Sequence, residues 1–130
     1  MTAVDTNVLV RLLTGDDPRQ AAAARALFAS TSVWIAKTVL LETCWVLQSL
    51  YGFPDQAVAD ALSKLLGLEN VQVEDEASVA DALRLASEGL EFGDALHLSS
   101  RPTEIAFVSF DRSLVRRAPH AGARDVSLVS

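Results

Sequence analysis

The 130-residue chain is 50% hydrophobic and 22% charged with a mean hydropathy of +0.25, which fits one folded domain and excludes global disorder. Eleven Lys and Arg against seventeen Asp and Glu give −6, which excludes a broad basic surface for nucleic acid and confines such contact to a local patch. One Cys and two His exclude an intramolecular disulfide and an all-nitrogen-and-sulfur zinc cage.

The start, Met1-Thr2-Ala3-Val4-Asp5, has no cationic stretch before an apolar run, so neither a signal peptide nor a membrane span is expected. A reduced, cytoplasmic setting is the expectation. Charge is uneven: residues 1–100 carry six basic and fourteen acidic side chains, whereas residues 101–130 carry five and three. The C-terminal segment is therefore where a phosphate is best tolerated.

In chain order, Thr2 to Val4 predicts a short strand, and the apolar stripe from Val8 to Leu13 a helix directly after it. Asp16-Asp17-Pro18 reads as an N-cap followed by proline at the first helical position, opening a second helix to Ser30. Ser32 to Ile35 is a β-favouring run, after which Thr38 is expected to cap a helix from Val39 to Tyr51, ended by Gly52. Pro54 to Leu66 predicts a fourth helix, Val71 to Val73 a strand, and Ala77 to Ser87 another helix. Gly93-Asp94 is expected to open a shorter helix through Ser100, stopped by Pro102. Ile105 to Phe110 carries the strongest strand signal, followed by a short helix from Ser113 to Ala118 and a last strand at Val126 to Val129. Strands alternating with helices imply an α/β fold with a parallel sheet flanked by helices.

Sites in such sheets form beyond the carboxyl ends of the strands. Asp5 and Asp111 each follow a strand, so both are expected at one rim, with Asp94 at a helix start and Glu42 near another. Taken singly, Asp5 and Asp94 also read as helix N-caps, Asp111 as the first residue of a turn, and Glu42 as an exposed side chain or an ion pair with Lys37. Taken together, four carboxylates at one rim repel each other unless a cation neutralises them, and oxygen-only ligands select Mg²⁺ or Mn²⁺. Phosphodiester hydrolysis is the chemistry such an ion serves. No Gly-rich phosphate loop, His-Glu-x-x-His, Gly-x-Ser-x-Gly or Cys–His signature competes.

The runs Asp5-Thr6-Asn7-Val8-Leu9, Glu91-Phe92-Gly93-Asp94-Ala95-Leu96-His97-Leu98 and Phe107-Val108-Ser109-Phe110-Asp111-Arg112-Ser113-Leu114, with the isolated Glu42, together resemble the PIN-domain ribonucleases. Within them the chain is similar to a VapC-type toxin of a VapBC toxin–antitoxin pair. The resemblance implies a single PIN domain over residues 1–130 that acts as a metal-dependent endoribonuclease, with Mg²⁺ or Mn²⁺ as cofactor. It implies that Asp5 and Asp94 contact the ion directly, that Glu42 orients a water of its shell, and that Asp111 holds a second, weaker ion or a further water. Asn7 and Ser109 would support the site by hydrogen bonding, Ser109 standing where the family often has Thr. The segment from Ser99 to Glu104 departs from the family pattern.

The implied partners are a cognate VapB-type antitoxin, an RNA of the tRNA or rRNA class and a second copy of the chain, with no membrane and with operator DNA reached only through the antitoxin. Apolar positions Leu12, Leu13, Val46 and Leu50 are a sensible seat for the antitoxin's tail. Arg112, Arg116 and Arg117 are the candidate RNA phosphate contacts, or else a solvated helical face. His97 shares a helical face with Asp94 but is expected to pack or to bond the backbone, and Cys44, Trp34 and Trp45 to serve core or interface.

Two other readings remain. One is a catalytically silent PIN-like module that binds a partner and keeps the acids for capping. The other is a phosphotransfer receiver, which needs a Lys after a late strand, whereas Lys37 follows the second strand and Lys64 lies within a helix.

Overall fold

The computed structural model describes residues 1–130, which divide into two compact units, Met1–Glu76 and Ala77–Ser130. In the first unit, β1 (Thr2–Ala3), α1 (Thr6–Thr14), α2 (Pro18–Ser30), β2 (Val33–Ile35), α3 (Lys37–Ser49), α4 (Asp55–Leu66) and β3 (Val71–Val73) follow one another. The sheet order is β1-β2-β3, all parallel, with Thr2 opposite Val33 and Val33 opposite Val71. The central strand carries the most apolar pair: Val33 and Ile35 are fully buried, each such side chain contributing about 1.5–3 kcal/mol. Backbone bonds extend the ladder on both sides, from the Val4 N–H to the Trp34 carbonyl (3.3 Å) and from the Glu74 N–H to the Ile35 carbonyl (2.9 Å). The first of these fixes where β1 ends and so places Asp5.

Local chemistry explains most helix ends. Asp17 caps α2 by accepting from the Gln20 N–H (3.1 Å), with Pro18 at the first position as the sequence implies. Gly15, at φ 66°, closes α1 in the left-handed conformation and donates to the Arg11 carbonyl at 3.0 Å. Thr38, by contrast, does not cap α3. The helix begins at Lys37 after Ala36, and the Lys37 N–H is satisfied by the Glu74 carboxylate (2.9 Å) reaching across from the end of β3. A residue far away in sequence thus does the work expected of Thr38.

The second unit contains α5 (Glu76–Ser87, from its second residue on), α6 (Phe92–Ser100), β4 (Phe107–Ser109), α7 (Arg112–Arg117) and β5 (Val126–Leu128). β4 and β5 pair in parallel, Phe107 opposite Val126, as a sheet of their own. The strand signal from Ile105 to Phe110 is therefore realised over three residues only, because the Ile105 N–H turns back to the Pro102 carbonyl (3.1 Å). The expectation that Asp5 and Asp111 stand at one sheet's rim is corrected in the same way: β1 and β4 belong to different sheets. No helix is long and apolar enough to cross a membrane.

Candidate active site

In the first unit, Asp5 leaves β1 in extended conformation and caps α1, its Oδ1 accepting from the Val8 N–H at 3.2 Å. Thr6, the first residue of α1 and buried, donates its Oγ1 hydroxyl to Oε1 of Glu42 on α3. Glu42 is thereby tethered to the same helix N-terminus that Asp5 caps, where the positive end of the helix dipole favours carboxylates. Both carboxylates are exposed. The ion pair considered between Glu42 and Lys37 does not form; Lys37 bonds Asp75 at 2.8 Å. Asn7 is exposed in the first turn of α1, where it lines a mostly apolar groove of about 330 Å³ with Val8, Arg11 and Leu27.

In the second unit, Asp94 does not open α6. Glu91 caps that helix, accepting from the Gly93 N–H (3.0 Å) and the Asp94 N–H (3.3 Å), which leaves Asp94 half-buried in the first turn. Asp111 follows β4 and caps α7 through the Leu114 N–H (3.1 Å), and its own N–H donates to the Ser109 hydroxyl oxygen (2.9 Å). Ser109 thus orients the backbone at Asp111.

Arg112 and Arg116, one helical turn apart on α7, are exposed, while Arg117 donates to the Gly89 carbonyl at 3.3 Å. His97 is exposed and its imidazole makes no hydrogen bond, so the side chain neither packs nor bonds the backbone as expected. Cys44 is buried, Trp34 half-buried and Trp45 exposed.

No group of three or more His, Cys, Asp or Glu side chains is placed to hold a metal ion. The donor chemistry still fits a hard divalent cation. A carboxylate has about four lone-pair sites, and Asp5 and Asp111 each spend one on a helix cap. Mg²⁺ keeps several waters and needs only one or two carboxylates, so it does not require a preformed cage.

Two residues escaped the reading of the sequence. Thr6 lies inside the first motif, but its partner is 36 residues away, and nothing local signals the bond. Glu91 precedes Asp94 by three residues, and Asp is the commoner cap, so composition pointed to the wrong carboxylate.

These features define an α/β protein of parallel strand–helix units with carboxylates at strand and helix ends in each unit. The chain belongs to the PIN domain family, whose model matches residues 2–119. That match runs through both units, as a single PIN domain. The PIN fold is generally a nuclease fold, usually dependent on divalent metal ions and often found in the toxins of toxin–antitoxin systems, so the chain is a hydrolase at that coarse level. No curated protein matches it.

Proposed function

We propose that the chain is a VapC-type toxin: an endoribonuclease that hydrolyses RNA with Mg²⁺ or Mn²⁺ and is held inactive by a cognate VapB-type antitoxin. The observation that carries this reading is the pair of exposed carboxylates, Asp5 and Glu42, at the N-terminus of α1, the second tied there by Thr6.

In this reading Asp5 and Asp94 hold the ion. When bound, it supplies a polarised phosphate oxygen and a water made nucleophilic at neutral pH. Glu42, restrained by Thr6, orients the attacking water, and Asp111 holds a further water or a second ion. Asn7 and Ser109 support these carboxylates by hydrogen bonding. Arg112, Arg116 and Arg117 meet RNA phosphates as local positive charge in an acidic protein. A homodimer in the cytoplasm, with operator DNA reached only through the antitoxin, completes the proposal.

A second reading, the catalytically silent partner-binding module, is favoured by one observation: Asp5 and Asp111 both cap helices and so have a structural use without chemistry. Cleavage of tRNA and rRNA by antitoxin-free protein, with Mg²⁺ or Mn²⁺ against EDTA and beside Asp5→Ala, separates the two. Metal-dependent cutting lost in Asp5→Ala supports the nuclease. Equal inactivity of both proteins supports the silent module.

A further inference from the structure

The second unit contains a cavity of about 450 Å³ at the C-terminal end of α6, the end away from Asp94. Its volume lies within the range of about 300–1,000 Å³ typical of small-ligand sites. Three arginines line it, Arg84 from α5, Arg101 after α6 and Arg124 before β5, against two acids, Asp81 and Glu104. A locally positive lining stands out in a chain of net charge −6.

The arginines are held in different ways. Arg84 pairs with Asp81 at 2.8 Å and donates to the Ala121 carbonyl at 3.0 Å, which neutralises Asp81. Arg101, half-buried, donates only to backbone carbonyls: Ile105 (2.6 Å), Asp125 (3.3 Å) and Arg124. Carbonyls fix its position without cancelling its charge, and two of its five N–H donors stay unused. The Arg124 side chain makes no hydrogen bond or ion pair. The Ser99 and Thr103 hydroxyls of the same lining already donate, to the Leu96 carbonyl (3.4 Å) and the Glu104 carboxylate (3.3 Å), so the donors left for a tetrahedral oxyanion are the two guanidinium groups, one rigid and one free.

We propose that this cavity binds a phosphate monoester of nucleotide size, either a free nucleotide or the 5′-phosphate end of an RNA. The end of α6 and the segment after it contribute four of its lining residues, Ser99, Arg101, Thr103 and Glu104. The inference does not depend on the nuclease reading.

Calorimetric titration of the full chain in EDTA with AMP, and with adenosine as control, tests it. AMP is expected to bind at least tenfold more tightly than adenosine. Arg124→Gln is expected to weaken AMP about tenfold, the effect of one charge-assisted hydrogen bond. Arg101→Gln should weaken it further, but that change also unpins the segments before β4 and β5, so Arg124→Gln is the deciding variant. Asp5→Asn should bind AMP unchanged. Competition by a 5′-phosphorylated but not a 5′-hydroxyl oligoribonucleotide assigns the site to an RNA end; AMP binding without such competition assigns it to a free nucleotide. No AMP binding at about 1 mM, equal binding of adenosine, an unaffected Arg124→Gln, or loss of binding in Asp5→Asn overturns the proposal.

Discussion

Replacing Thr6 by Val removes the hydroxyl that tethers Glu42 while keeping the branched side chain that α1 buries. Loss of a hydrogen bond to a charged acceptor costs about 1.5–3 kcal/mol when nothing replaces it. Glu42 is exposed and water replaces the donor, which lowers the stability cost to about 0.5–1 kcal/mol, or about 2–6 °C in Tm for a chain of this length. The rate should fall more noticeably. Restraining a glutamate side chain costs up to about 1.5–2 kcal/mol of rotamer freedom. A Glu42 released from Thr6 must meet that cost in each turnover, and about 1.4 kcal/mol corresponds to a tenfold lower rate of RNA cleavage. Thr6→Ser dissociates the two effects: it restores the hydroxyl and the rate, yet removes a buried methyl group and about 0.8 kcal/mol of stability. The assays are thermal unfolding in EDTA and initial cleavage rates at saturating Mn²⁺. Full activity in Thr6→Val, or failure of Thr6→Ser to restore it, would refute the reasoning.

Asp111→Ala should lose about 1 kcal/mol from the missing cap on α7, whereas Asp111→Asn keeps the cap. A cleavage rate that falls in both variants while urea unfolding changes only in the first marks a chemical use of the carboxylate; rates that track stability mark capping alone. Leu62→Ala, at a fully buried position on α4, is expected to cost about 2–5 kcal/mol in urea unfolding, and a cost under about 1 kcal/mol would contradict its placement in the core. The Tyr51 hydroxyl, with Thr14 and Arg11 behind it, holds the Asp16 carboxyl below the usual carboxylate range against the opposing effect of desolvation. A lowered folded-state value means a stabilising contribution present above the unfolded-state value and lost as pH falls through the folded-state one. Tyr51→Phe should therefore raise the Asp16 pKa in an NMR titration, and its Tm deficit should shrink toward acid pH; a deficit constant with pH would count against this account. Mg²⁺ or Mn²⁺ at saturating concentration should raise the Tm of the native chain and not that of Asp94→Asn, since an ion bound only by the folded state stabilises it.

The path from residues to fold was legible wherever the signal was local. Asp17-Pro18 starts α2, Gly15 ends α1, and the apolar pairs Val33/Ile35 and Val71/Val73 mark strands, because caps, turns and periodicity act within a few residues. The same locality misled at two helix starts. Thr38 and Asp94 are good capping types at plausible places, yet Glu74 from across the sheet serves α3 and Glu91 serves α6. The strand signal at residues 105–110 was strong, but its ends are set by a turn at Pro102 and by pairing with β5.

By itself the sequence determined the order and type of the elements, the acidic residue types that can serve a divalent cation, and the family motif in which they stand. These follow from side-chain chemistry and short spacings. Only the tertiary structure decided that Glu42 answers to Thr6, that Lys37 pairs with Asp75 and not Glu42, that β4 and β5 form their own sheet, and that Arg84, Arg101 and Arg124 line one cavity. Each of those joins groups 17 to 40 residues apart, and which distant partners meet is decided by how helices and strands pack, not by their neighbours in the chain.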